Sequence, residues 1–364
     1  MSGGVDSSVA AVILRKAGFE VTGVFLRLYD SPRFKEGEKR TKKIAKILKI
    51  PIRVLDLRKE FKKAVIGHFL KEYKAGRTPN PCVVCNKEIK FGLLLKKALE
   101  MGADYLATGH YALARVVPKR EIKNFTPLDM KLSNRVEIKN YELLRGRDKN
   151  KDQSYFLWKL NQNQLKRILF PVGGYTKTQV KKLAKKFKLP VFEALESQEI
   201  CFIQAETKDF LKKHIKQKPG RIVDSSGKII GQHRGLAFYT IGQRKEIGLP
   251  GGPFWVFAKD LERNILIVTR KEKDLYKKEL ICQDVSWVSG KEPKLPLKIK
   301  AKIRYRSTPT PAVIKKCKPK AKVCSLMFDR PQRAITLGQS VVFYQGNQIL
   351  GGGIIKEVVF DWNK

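Results

Sequence analysis

Acidic side chains are scarce in this sequence: 34 Asp and Glu stand against 76 Lys and Arg, a formal net charge of +42. Such an excess favours a polyanionic partner, RNA or DNA ahead of a membrane. Lysine is spread along the whole chain, so part of the excess is equally read as general composition. Long apolar runs are missing as well. None reaches the roughly 18 residues of a spanning helix. The N-terminus shows no basic-then-apolar export pattern, which predicts a cytoplasmic protein without a membrane partner. A second close cysteine pair is also absent. Cys82 and Cys85 form the one C-x-x-C, and a zinc ribbon needs two. The six cysteines (Cys82, Cys85, Cys201, Cys282, Cys317, Cys324) are therefore expected as thiols, not structural disulfides.

What is present begins at the first residues. Met1-Ser2-Gly3-Gly4-Val5-Asp6-Ser7-Ser8 joins a glycine turn to the apolar run Val9–Leu14. Glycines let the backbone bend and approach a ligand closely. Backbone N–H groups at such a turn, backed by a helix N-terminus, form an anion site. No lysine follows the glycines, so this is not the GxxxxGK[ST] loop. Asp6 reads either as a carboxylate that places Mg2+ or as a helix-capping group. In α/β nucleotide folds a buried strand precedes such a loop. Here the loop comes first, and the first strand is expected to be missing from the sequence.

The pattern that follows alternates. Helix is predicted over 9–17, strand over 21–28, a charged loop over 31–40, helix over 41–48, strand over 52–57 and helix over 60–76. A helix over 87–101 and a strand over 105–108 follow, the latter leading into Gly109-His110-Tyr111. Alternation of this kind argues for α/β architecture with a doubly wound parallel sheet. Residues 115–140 read as a basic hairpin or insertion, 141–144 as strand, and 154–169 and 176–187 as helix. From about Thr207 a small basic helix leads into short strands. From about Leu280 only short strands remain, which suggests a small closed β-barrel. The expected domains are 1–206, 207–276 and 277–364.

The cysteines carry the chemistry. Pro79 and Pro81 hold Gly76–Asn86 extended, so the segment is predicted to be a rigid loop, with Asn86 capping the helix beyond it. Cys85 would then lie near a helix N-terminus between Arg77 and Lys87, features that lower a thiol pKa. Cys201, at the start of an apolar patch, reads alone as a small buried hydrophobe. Beside a nucleotide loop and a second thiol it also fits sulfur transfer, in which one thiol carries a persulfide and another resolves it.

The ordered blocks SGGVDSS, GRTPNPCVVCNKEIKFG, ATGHYA, KDQSYFL, FPVG, ESQEICFI, HRGLAFYTIGQRKEIG, RYR and GQSVVFYQG-x-x-x-LGGGII resemble the tRNA-specific 2-thiouridylase family, within the ATP pyrophosphatase (PP-loop) superfamily. The resemblance covers nearly the whole chain. It implies that ATP adenylates the C2 oxygen of the wobble uridine in the anticodon stem-loop of tRNAs for Glu, Gln and Lys, after which sulfur replaces that oxygen. A persulfide donor protein or a sulfide source supplies the sulfur, and the enzyme is expected to be a monomer. Matched residue by residue, Met1, Ser2, Gly3, Gly4, Val5, Asp6, Ser7, Leu26 and Gly109 fall on ATP contacts, with Mg2+ accompanying the nucleotide. Cys85 falls on the nucleophile and Cys201 on the persulfide carrier. Asn80, Pro81 and Cys82 fall on the loop that meets the flipped base. His110, Lys151, Asp152, Gln153, Arg304, Tyr305 and Gln339 fall on tRNA contacts. Bland alternatives stand beside several of these: a surface role for His110, a solvated Lys151, core packing for Tyr305.

Some family members carry aspartate where this chain has Cys82, which leaves the general acid/base unassigned. A minority reading places an iron–sulfur cluster on Cys82, Cys85 and Cys201. The rival functions are a PP-loop synthetase that activates a carboxylate or a purine, and a tRNA-binding protein with a decayed ATP site.

Overall fold

In a computed structural model of the chain, residues 1–118, 138–190, 200–203 and 206–359 are described. The N-terminal part is α/β. Strand Gly23–Arg27 pairs in parallel with Ile52–Asp56, and Leu106–Ala107 pairs in parallel with Ile168–Leu169. Helices Val5–Lys16, Pro32–Ile47 and Lys177–Lys186 accompany them. Val9, Ala10, Val12, Ile44 and Val180 bury their side chains together in the core between these helices.

Two expectations fail here. Residues 31–40 are not a loop: Pro32–Ile47 is one helix, with Ser31 at the N-cap position and Pro32 in its first turn. Ser followed by Pro is a helix-start signal, and Gly37 inside the helix serves close packing, not a break. A Cβ on Gly37 would lie 3.2 Å from the Ser2 carbonyl oxygen. Residues 154–169 are not one helix either. They form a 3-10 turn at Ser154–Phe156, a short helix Gln162–Leu165 and the strand Ile168–Leu169. Their aromatic side chains are committed to the C-terminal barrel. Tyr155 Oη donates to the Ser340 carbonyl at 2.8 Å, and Trp158 Nε1 donates to Ser340 Oγ at 3.1 Å.

The barrel closes in the order Tyr276–Trp287, Val323–Arg333, Thr310–Lys318, Leu297–Lys302, Ser340–Gln345, Gln348–Val359 and back to the first strand. Alternate side chains such as Leu280, Ile314, Leu326, Phe328 and Phe343 fill it. The hairpin of strands Ala112–Pro118 and Ile138–Arg145 joins the same sheet through Gln348–Val359. The rest of the 115–140 insertion lies outside the described residues. The Gly351–Gly353 run accepts a ring: a Cβ on Gly352 would lie 2.9 Å from the Trp158 indole. Between the two halves, strands Gly220–Val223, Ile229–His233, Trp255–Asp260 and Ile265–Thr269 form a small sheet.

The expectation of six thiols is corrected. Cys317 and Cys324 are bonded as a disulfide, because they face each other on adjacent antiparallel strands with Cα atoms 4.1 Å apart. Cys82, Cys85, Cys201 and Cys282 are free. Among the described residues no helix is long and apolar enough to cross a membrane.

Candidate active site

The glycine turn is built by its neighbours. Gly3 has φ +73°, and a Cβ there would lie 2.5 Å from the Gly37 carbonyl oxygen. Gly4 is the N-cap of helix Val5–Lys16, and no side chain caps that helix. Ser7 and Ser8 instead donate back to the Gly4 carbonyl, at 3.2 and 2.8 Å. The first-turn amides are thus left for a ligand, as an anion site requires. Gly109 closes the turn from the opposite side: a Cβ on it would lie 2.7 Å from both the Asp6 carbonyl carbon and the Ser7 nitrogen. The Asp6 carboxylate does not cap the helix. It accepts from Lys177 Nζ at 2.6 and 2.8 Å and from Tyr111 Oη at 2.8 Å.

The cysteine segment differs from its sequence reading. A helix starts at Pro81, with Asn80 at the N-cap position, and continues from Cys85 to Leu94 in wide i→i+5 turns of the kind found at functional sites. Pro81 is thus a first-turn proline, which tolerates the missing donor. Asn86 caps nothing. Its amide donates to the Phe156 carbonyl at 3.1 Å. Cys85 is inside the helix and buried, so its thiol is pushed up to about 12, opposite to the lowering that a helix N-terminus would give. Burial likewise pushes Cys82 to about 11 and raises Cys201. Cys201 raises the pKa of Cys82 and of Cys85, and Cys82 raises that of Cys85, which marks the three as neighbours.

The stretch before this helix is held from both other parts of the chain. Thr78 N–H donates to the Leu337 carbonyl at 2.9 Å. Gln339 Nε2 donates to the carbonyls of Thr78 and Pro79 at 2.9 and 3.2 Å. Lys259 donates to the Gly76 carbonyl at 2.9 Å.

One cleft of about 2660 Å³ is lined by every candidate residue except Arg304. Arg304 points elsewhere. Its guanidinium donates to the Ala334 carbonyl and Thr336 Oγ1, both at 2.7 Å. Asp152 lines the cleft but is a buried structural acid, bonded to Arg145 Nε at 2.8 Å and to the N–H groups of Gly146 and Ser154 at 3.1 Å. Gln153 Oε1 accepts from Tyr111 N–H at 3.0 Å, which straps the Lys151–Gln153 turn beside His110. His110 is buried against Phe91 and Phe170 and bonded to Thr108 Oγ1 at 2.8 Å. Tyr305 packs at a tilt against Phe156 with ring centres 4.5 Å apart. Leu26 reaches the cleft from the strand Gly23–Arg27. Sequence reasoning missed Lys90, Lys177, Lys300, Lys302 and Arg306, which also line the cleft. Only Lys90, five residues after Cys85, had a local signal.

Comparison with known proteins now decides the family. A family model described as tRNA methyl transferase HUP domain matches residues 1–205. One described as tRNA methyl transferase PRC-barrel domain matches 208–270, and an aminomethyltransferase beta-barrel domain matches 277–355. The tRNA-specific 2-thiouridylase MnmA of Syntrophomonas wolfei is 42% identical over 356 residues, covering 98% of each chain. Its namesake in Moorella thermoacetica is 44% identical, again over 98% of each chain. The chain belongs to the tRNA-specific 2-thiouridylase family. Within that family its glycine turn and its C-x-x-C segment share one cleft. Among the described residues no group of three or more His, Cys, Asp or Glu side chains is placed to hold a metal ion. As they stand, Cys82, Cys85 and Cys201 do not form a cluster cradle.

Proposed function

We propose that this chain is an ATP-dependent tRNA uridine 2-sulfurtransferase that acts on the wobble position. The observation that carries the reading is the single cleft containing the glycine turn at one end and Cys85 with Cys201 at the other. The uncapped first turn of Val5–Lys16 suits the phosphates of ATP. Arg145, Lys149, Lys151, Lys300, Lys302 and Arg306 line the same cleft from the hairpin side and the barrel, suiting an RNA backbone.

The chemistry balances as follows. The C2 oxygen of the uridine attacks ATP and pyrophosphate leaves, making that oxygen part of a good leaving group. The terminal sulfur of a Cys201 persulfide attacks C2, and AMP departs. The Cys85 thiolate then attacks the Cys201 sulfur, which releases the 2-thio base and leaves a Cys85–Cys201 disulfide for an external thiol reductant to reopen. In the second order of events, Cys85 first attacks the persulfide and frees hydrosulfide, which attacks C2. Asp6 is already paired with Lys177, so no step is routed through Mg2+.

The test is mass spectrometry of anticodon nucleosides after incubation of tRNA with the protein, ATP, Mg2+ and a persulfide donor. Wild type is expected to give 2-thiouridine. Cys85→Ser and Cys201→Ser are expected to give none while still binding tRNA. Full thiolation by either variant refutes the assignment. ATP turnover that needs neither tRNA nor thiols favours a synthetase instead.

A further inference from the structure

Raised thiol pKa values pose a problem for sulfur transfer, because the thiolate and not the thiol is the nucleophile. The groups facing the three sulfurs limit the answer. Helix Pro81–Leu94 contributes Lys90 and helix Pro32–Ile47 contributes Arg33, Tyr305 lies beside Cys82, and His110 lies beside Lys90. Lys90 acts on Cys82, Cys85 and Cys201 alike, and in each case it favours the anion.

The position of Lys90 is fixed by geometry. In turns of the i→i+5 kind, Lys90 returns to the face of the helix that carries Cys85, and both line the cleft. Its Nζ lies 3.5 Å from His110 Nε2. An ammonium only donates, so Nε2 accepts and the imidazole proton sits on Nδ1, which donates to Thr108 Oγ1 at 2.8 Å. Burial between Phe91 and Phe170, together with the Lys90 charge, keeps His110 neutral and so able to accept. Among the described residues no carboxylate pairs with Lys90. Its ammonium meets a neutral ring on one side, and it shares the lining of the cleft with Cys82, Cys85 and Cys201. His110 follows Gly109, which abuts the Asp6–Ser7 backbone. The same short segment thus sets both the glycine turn and the cation.

We propose that Lys90, oriented by neutral His110, is a catalytic cation that pairs with the sulfur anion in this cleft, the Cys85 thiolate or the Cys201 persulfide. This rests on the sulfur-transfer reading and adds to it the group that offsets part of the burial cost of the sulfur anion. His110 is then a positioning residue.

The test uses the full-length protein with Lys90→Gln, which keeps a donor for His110 without the charge, and Lys90→Arg, which keeps the charge. The rate of Cys85 and Cys201 alkylation by iodoacetamide is followed against pH by peptide mass spectrometry, without tRNA. Single-turnover tRNA thiolation is measured in parallel, and circular dichroism checks the fold. Lys90→Gln is expected to move both alkylation profiles up by about one pH unit or more, an alkylation rate about tenfold lower at fixed pH. It is also expected to slow thiolation at least tenfold, while Lys90→Arg stays near wild type in both. Profiles that coincide with wild type in a folded, thiolating Lys90→Gln protein overturn the role of Lys90. If neither lysine variant folds, His110→Leu, which removes the acceptor that orients Lys90, takes their place, and an unmoved profile there overturns the proposal of a cation oriented by His110. A wild-type protein that makes no 2-thiouridine sinks the functional reading, whatever the alkylation profiles show.

Discussion

Gly109→Ala is expected to abolish tight ATP binding without unfolding the protein. The added Cβ would sit 2.7 Å from both the Asp6 carbonyl carbon and the Ser7 nitrogen, and 3.0 Å from the Asp6 Cβ. Two of these contacts are backbone atoms of the first helical turn, so no side chain can swing away. Either the turn or the Thr108–His110 segment must move by roughly 0.5–1 Å, and overpacking of this size typically costs about 1–3 kcal/mol. The strain is centred on the Asp6–Ser7 backbone, in the first helical turn at the anion site. It therefore falls on ATP affinity, weakened about ten- to a hundredfold at about 1.4 kcal/mol per decade. Isothermal titration of ATP against wild type, Gly109→Ala and Gly174→Ala makes the measurement. Gly174 is the control, since a Cβ there meets nothing within 4 Å. An ATP affinity in Gly109→Ala equal to that of wild type, with a normal melting curve, refutes the reasoning.

Gln339 was expected to contact tRNA, yet its amide is bonded to the Thr78 and Pro79 carbonyls. Gln339→Ala is therefore expected to lower the single-turnover thiolation rate about tenfold with tRNA affinity unchanged; weakened affinity at an unchanged rate would instead mark an RNA contact. Lys259 has its pKa lowered to about 8 by burial. The folded chain therefore releases this proton before the unfolded chain does, and stability from this group rises as pH climbs from about 8 towards the unfolded value. The rise is about 3 kcal/mol at full span. Urea midpoints of wild type and Lys259→Met at pH 7 and pH 10 check this. The variant should lack the rise, and parallel curves would contradict it.

The sequence carried the chemistry further than the shape. SGGVDSS and the C-x-x-C segment are short and contiguous, so residue identity alone announced a phosphate turn and a thiol pair. Their juxtaposition depends on Gly109 and on long-range contacts that leave no local pattern. Ser31-Pro32 was a start signal misread because Gly37 looked like a breaker, when that glycine is there to let the turn approach. A helix was expected over 154–169, but the hydrogen-bonding atoms of Tyr155 and Trp158 reach Ser340, far along the chain. Asp152 and Arg304 are polar residues in conspicuous motifs, and from sequence alone a structural ion pair or a capped carbonyl looks the same as a ligand contact. Burial is the variable that sequence pattern reports least well, and it reversed the expected direction of the Cys85 pKa.

That reversal bears on how such a site works. A thiol held near 12 is almost wholly protonated at neutral pH, which protects it from oxidation and from stray electrophiles while no substrate is present. The polyphosphate and RNA bring negative charge into a cleft lined by lysine and arginine, and negative charge alone would raise the thiols further. The reacting sulfur therefore needs a cation that the phosphates do not neutralise. Lys177 is paired with Asp6 at the nucleotide end. Lys90 is set back against His110 at the sulfur end, on the same helix as Cys82 and Cys85. Separating the two cations by function lets one cleft hold an anionic cosubstrate and ionise a nucleophile at the same time.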